Sequence, residues 1–215
     1  PHGYDFPVPG PAVECSVGIA MAHYKSPLQD VVRAAQDAEK RAKSKHGREA
    51  VAIDLIKRSG ETIQWGCQWK SGGLEAYSGL TKLMAKQTLS GRYPYRFVQL
   101  VQPYEMDKDT AHTEPQPFDD LEQLTEVLRK EASVAVDQNA GKNKDSNEIE
   151  ASFVSPFQTY LENLRKAAEE EKKRAKENDE PPASASQEIL QAAIGLHQTA
   201  AFASRNQTPK TTPNS

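Results

Sequence analysis

Five basic side chains, Lys40, Arg41, Lys43, Lys45 and Arg48, crowd one short stretch of the sequence, which closes on Gly47. Cations gathered in this way can hold a polyanion, most simply the phosphates of a nucleotide. They can equally serve a helix: its C-terminal end is negative, and lysines and arginines there compensate the dipole or form a solvated face. The residue types alone leave both uses open.

Other reactive side chains offer less. Cys15 and Cys67 each fall in a run that reads as a strand, without a partner at metal-ligand spacing, so both read as small buried hydrophobes. The five histidines form no H-x-x-x-H pattern. The adjacent acids Asp119-Asp120 follow Phe118 at a helix start and read as a cap. Trp65 and Trp69 share one strand face and read as core beneath a helix, with a stacking platform for a base as the alternative. A net charge of -3 excludes a general nucleic-acid sponge and still allows a local basic face. With no signal peptide and no apolar run of about 18 residues, the chain is expected to be soluble and cytoplasmic, with no membrane partner.

The elements that must position the basic stretch are a strand, a helix and a hairpin. From Glu14 to Tyr24, Cys15, Val17, Ile19 and Met21 alternate with Ser16, Gly18, Ala20 and Ala22, the period of a strand. A face made only of small residues predicts close packing against a helix, or a ligand approaching the backbone. Ser26, Pro27 and Gln29 predict a capping box, followed by an apolar stripe of Leu28, Val31, Val32, Ala35, Ala38 and Ala42. Gly47 supplies a left-handed stop. Ala50 to Lys57 and Thr62 to Trp69, separated by Ser59-Gly60, predict a tight hairpin.

The remainder predicts helices. One spans residues 74 to 89; Arg92 to Tyr104 is ambiguous, although Pro94 opposes a central strand. Residues 106 to 117 are polar with two prolines and mark a domain boundary. Past it, Asp119 and Glu122 cap a helix with Leu121, Leu124, Leu128 and Ala132 inward. Gln138 to Asn147 reads as a mobile loop, and Ser155-Pro156-Phe157-Gln158 as a fresh helix start. A charged extension, Glu169 to Arg174, runs to Pro181-Pro182, and a final helix spans Gln187 to Ala203. The expected organisation is a lead-in linker at 1-11, a domain at 12-105, a linker at 106-117, a helical bundle at 118-204 and a disordered tail at 205-215. With 215 residues, a charged content of 27% and a mean hydropathy of -0.73, some of the length is expected to be solvated linker or exposed helix. The first residue, Pro1, is consistent with a fragment.

The order strand, helix ending in Ala42-Lys43 and Gly47-Arg48, then strand, resembles the closing part of GGDEF-type nucleotide cyclase domains. Ser16-Val17-Gly18-Ile19-Ala20, Ala22-His23-Tyr24-Lys25, Pro27-Leu28, Gly47-Arg48-Glu49-Ala50-Val51-Ala52 and Lys57-Arg58-Ser59-Gly60-Glu61 resemble, more closely, the second Palm domain of the large subunit of type III-B CRISPR effector complexes. The matches cover about the first third of the chain. The fold this implies is α+β: a partial ferredoxin-like Palm of antiparallel strands with packed helices, followed by an all-α C-terminal helical domain.

The resemblance also implies a function. Members of that family assemble with other effector subunits around a CRISPR RNA, detect complementary target RNA, and convert ATP, with divalent Mg or Mn, to cyclic oligoadenylate. By resemblance, Lys43 and Arg48 are the cations expected on the ATP phosphates. The family's metal-holding carboxylates lie in a Gly-Gly-Asp-Asp hairpin; no such tetrapeptide occurs in this sequence, nor does the His-Asp pair of the family's nuclease domain. Catalytic carboxylates and metals are therefore expected from the remainder of the same large subunit. Two other readings compete: a GGDEF-like cyclase acting outside a CRISPR complex, and an inactive Palm serving as a protein-interaction scaffold.

Overall fold

The computed structural model describes residues 15–102, 121–137, 143–177 and 185–205. The predicted lead-in, the 106 to 117 linker, the Asp119 cap, Pro181-Pro182 and the tail after Arg205 lie outside them. Three strands, β1 (Val17–Met21), β2 (Ala50–Ile56) and β3 (Thr62–Gln68), form one sheet in that order. β1 is followed by helix α1 (Leu28–Ser44), and the crossover returns β2 parallel to β1, with Val17 opposite Val51 and Met21 opposite Leu55. β2 and β3 pair antiparallel through the hairpin, with Ile53 opposite Trp65. The expected set of antiparallel strands is thus a mixed sheet, because a strand–helix–strand connection that packs the helix on the sheet must bring the second strand back in the same direction.

The small face of β1 packs on α1. A Cβ added at Gly18 would lie 2.2 Å from the carbonyl oxygen of Ala35 and the amide nitrogen of Glu39, so helix and strand meet at backbone distance. The expectation of close packing holds at that residue. Ala38 and Ala42 of α1 and Ala50 and Ala52 of β2 complete a small buried layer. The predicted capping box does not form: Pro27 is the N-cap, and no side chain bonds the first turn.

The other sheet face is covered by helices. These are α2 (Gly73–Ala85), α3 (Tyr93–Val101), α4 (Leu121–Asp137), α5 (Asn143–Ile149), α6 (Ser155–Glu177) and α7 (Ala185–Arg205). One apolar core takes in Val51, Ile53, Trp65 and Cys67 of the sheet and residues of all six helices. The ambiguous stretch after Arg92 is helical, with Pro94 in the first turn of α3, where its missing N–H costs nothing.

Two expectations about the later helices need correction. Residues 143–147, read as part of a mobile loop, lie in the helix Asn143–Ile149. Ser155-Pro156 does not start a helix afresh: α5 runs through a π-helical turn, Glu150–Val154, straight into α6. Pro156 has no N–H for the carbonyl of Ser152 four residues earlier. Gly79 of α2 packs against that carbonyl so closely that a Cβ there would lie 1.6 Å from it. No described helix is long and apolar enough to cross a membrane.

Candidate functional site

α1 ends at the basic stretch, and the structure sorts its cations by partner. Arg41 turns inward: its Nη2 lies 2.6 Å from Oδ1 of Asp54 and donates to the carbonyl of Ile53 at 3.1 Å. Asp54 is 4% exposed on the α1 side of β2, so this is a buried ion pair that fastens the helix to the sheet. Lys40 pairs with Asp37 at 3.2 Å and Lys43 with Glu39, both on the exposed side of the helix. Those two pairs, three and four residues apart, are the solvated-face chemistry. Lys45 and Arg48 are exposed and enter no ion pair among the described residues.

The chain leaves α1 through three successive left-handed residues: Gly47 (φ 75), Arg48 (φ 67) and Glu49 (φ 42). Glycine adopts this conformation freely, whereas Arg48 and Glu49 each adopt it at a cost of about 1 kcal/mol, so surrounding bonds must hold them. The Arg48 N–H donates to the carbonyl of Ala42 at 3.3 Å, closing the helix end. The Trp69 N–H donates to the carbonyl of Glu49 at 2.8 Å, tying the arch to the end of β3. The Glu49 carboxylate lies 3.8 Å from Nζ of Lys70. Arg48 is thereby presented from a backbone fixed on both sides.

His46 sits beneath this arch, against the bare backbone of Gly66, where an added Cβ would meet its Nε2 at 2.5 Å. Burial, with the neighbouring charges of Lys45 and Arg41, pulls its pKa down to about 4, so it is neutral at physiological pH. The corner therefore carries its positive charge on Lys43, Lys45, Arg48 and Lys70 and not on the histidine.

Lys43 and Arg48, the two residues singled out from the sequence, both stand at this corner, Lys43 engaged by Glu39 and Arg48 on the arch. Three partnerships were missed: Arg41 with Asp54, His46 with Gly66, and Glu49 with Lys70. A signal existed for the first two. Asp54 is the lone charge in Ala50–Ile56, and a charge in a buried strand requires a partner. Gly66 interrupts an otherwise substantial strand, which marks close approach of another group.

The remaining sequence candidates resolve into structure. Trp65 is 2% exposed and stacked on Tyr77 at 4.9 Å, as core. Trp69 packs at the edge of that core, its Nε1 donating to the carbonyl of Cys15 at 2.7 Å. Cys67 is buried, and desolvation pushes its thiol up to about 12. Cys15 is exposed and precedes β1, against the expectation of a buried strand residue, because the strand pairs only from Val17. Among the described residues no three His, Cys, Asp or Glu side chains come together to hold a metal.

One buried histidine lies far from this corner in sequence and character. His197 of α7 is fully buried, stacked on Phe97 at 3.7 Å and edged by Phe153 and Phe157. Burial takes its pKa down to about 3; the neutral ring donates from Nδ1 to the carbonyl of Ala193 at 2.8 Å and meets the Tyr93 hydroxyl at 3.4 Å.

Residues 7–52, which span β1, α1 and the start of β2, match the family model for the second palm domain of Cas10/Cmr2. Neither the curated proteins nor the solved structures give a match.

Proposed function

We propose that this chain is a portion of the large subunit of an RNA-guided type III CRISPR antiviral effector complex. In this reading residues 12-105 are the C-terminal part of a Palm domain, and 118-204 form the helical part that meets neighbouring subunits. The observation that carries it is the match of residues 7–52 to a Cas10/Cmr2 palm domain, over the segment that ends in the cationic corner. The complex acts in the cytoplasm, holds CRISPR RNA, and converts ATP to cyclic oligoadenylate when target RNA binds. Lys43 and Arg48 contact the ATP phosphates and neutralise charge that grows there during phosphoryl transfer. The divalent metal and its carboxylates come from residues outside this chain. Support for completion by further chain comes from the β1 edge: Ile19 is 39% exposed, and Val32 and Leu28 of α1 are 47% and 76% exposed.

The assembled complex provides the test. Purified with its neighbours, the chain is expected to carry bound CRISPR RNA and to yield cyclic adenylates from ATP on addition of complementary RNA. Bound nucleic acid without CRISPR repeats would sink this reading, and a cyclic dinucleotide made from GTP would favour a GGDEF-like cyclase. One observation favours the inactive scaffold: Lys43 already has Glu39 as partner. Lys43→Ala and Arg48→Ala are expected to weaken ATP binding in the complex, and unchanged affinity would leave the scaffold ahead.

A further inference from the structure

We infer that Lys70, just past the end of β3, is a third cation of the same phosphate site, and that Glu49 tunes the site by competing for it. This rests on the reading of Lys43 and Arg48 as phosphate contacts. Lys70 is not part of the basic stretch in sequence; the hairpin brings it there.

Three observations carry the placement. The Trp69 N–H bonds to the Glu49 carbonyl at 2.8 Å, so the residues on either side of that bond, Arg48 and Lys70, flank one fixed backbone contact. Alternation along β3 sends Cys67 toward the helical core and Gln68 toward the α1 side, and the turn that follows, closed by the Ser71 N–H on the Gln68 carbonyl at 3.2 Å, carries Lys70. Trp69 does pack on that core, and the Gln68 amide nitrogen lies 3.2 Å from where a Gly47 Cβ would stand. The Glu49 carboxylate lies 3.8 Å from Lys70 Nζ, with the two side chains 46% and 89% exposed.

That ion pair is long and exposed, so it is readily broken. A triphosphate carries several negative charges and three sets of acceptor oxygens. It displaces a single carboxylate from Lys70 while Arg48 meets it from the neighbouring residue. Glu49 is thus a resident anion that keeps the lysine placed and is exchanged for the ligand.

Calorimetric titration of the full chain with inorganic triphosphate, and separately with ATP, tests this. Lys70→Ala is expected to weaken both ligands about threefold to fivefold, with Lys70→Arg close to wild type and an unchanged melting temperature. Glu49→Gln is expected to tighten both about twofold to threefold, which a merely structural role for the pair would not do. If Arg48→Ala or Lys43→Ala weakens binding while Lys70→Ala and Glu49→Gln leave it unchanged, the role of Lys70 is overturned and the phosphate site stands. If none of the four changes affinity, the phosphate site itself falls, and Lys70 with it. An effect of Lys70→Ala on ATP but not on triphosphate would overturn the contact with phosphate.

Discussion

On the α1 side, Ala38 and Ala42 of the helix meet Ala50, Ala52 and bare Gly18 of the sheet, with one buried ion pair; on the other side, Trp65 and Tyr160 begin an aromatic layer that continues through Phe153, Phe157 and Phe97 to His197. The first face brings a helix to backbone distance and leaves almost no side-chain volume to hold it. The second face is held by volume. A helix fixed by closeness can be registered by a single charge pair, Arg41 with Asp54, and so its end, with Lys43 and Arg48, keeps a defined position over the sheet. The candidate site thus lies on the face with the least apolar area and the most specific contact.

The aromatic face should be the costlier to damage. Phe153→Ala, which empties a fully buried position between Tyr93, Phe157 and His197, is expected to lower stability by about 3–5 kcal/mol in urea denaturation. On the α1 face the largest loss should follow Arg41→Ala, about 2–3 kcal/mol, since it strands the Asp54 carboxylate in the interior. The double change Arg41→Met with Asp54→Leu should recover most of that loss. If it does not, the pair contributes more than registry.

Gly18→Ala tests the closeness itself. Its new methyl would press on the backbone of α1, which cannot turn aside as a side chain can, and about 1–3 kcal/mol of stability should go. A neutral outcome by thermal melting would show that α1 can slide and that the site is not fixed by the packing.

Acid compares the faces most gently. His46 on the α1 side and His197 among the aromatics titrate in the folded chain near 4 and near 3, below the value of about 6.5 in an unfolded one. The unfolded chain therefore binds protons first, and the stability these groups contribute is complete above about pH 6.5 and declines as the pH falls through 4 toward 3. Each can add up to about 1.4 kcal/mol per pH unit within its own window. Both declines begin near pH 6.5, so each variant should make the profile shallower between about 6.5 and 4, and only His197→Phe should flatten it between about 4 and 3, as read by denaturation at stepped pH. Identical profiles for both variants would mean that the faces do not titrate separately.

Much of the first face was legible in the sequence. Alternation placed β1, β2 and β3 within a few residues of their observed ends, and Gly47 marked the helix stop, because these are local patterns of period two or of backbone sign. The small face of β1 announced a close neighbour. The second face was legible only as amphipathic helices: nothing in Ile189 or Leu196 states which surface they cover, and His197 gives no sign of the ring it stacks on. Ser155-Pro156 misled because a proline at a helix start and a proline after a π-helical turn look alike in sequence. At the candidate site, Lys43 and Arg48 were singled out by a family resemblance carried on one segment, while Glu49 with Lys70 and Arg41 with Asp54 join separate segments and appear only when the hairpin and crossover close.

The two tryptophans give this chain a built-in optical probe. Trp65 is dry and stacked on a tyrosine, so its emission belongs at the blue end of indole fluorescence and follows the core. Trp69 lies half-buried beside the arch, and its ring nitrogen is bonded to the backbone just before β1. With Trp65 replaced by phenylalanine, the remaining emission would report from the spot where the arch and the entering strand meet, with no label attached.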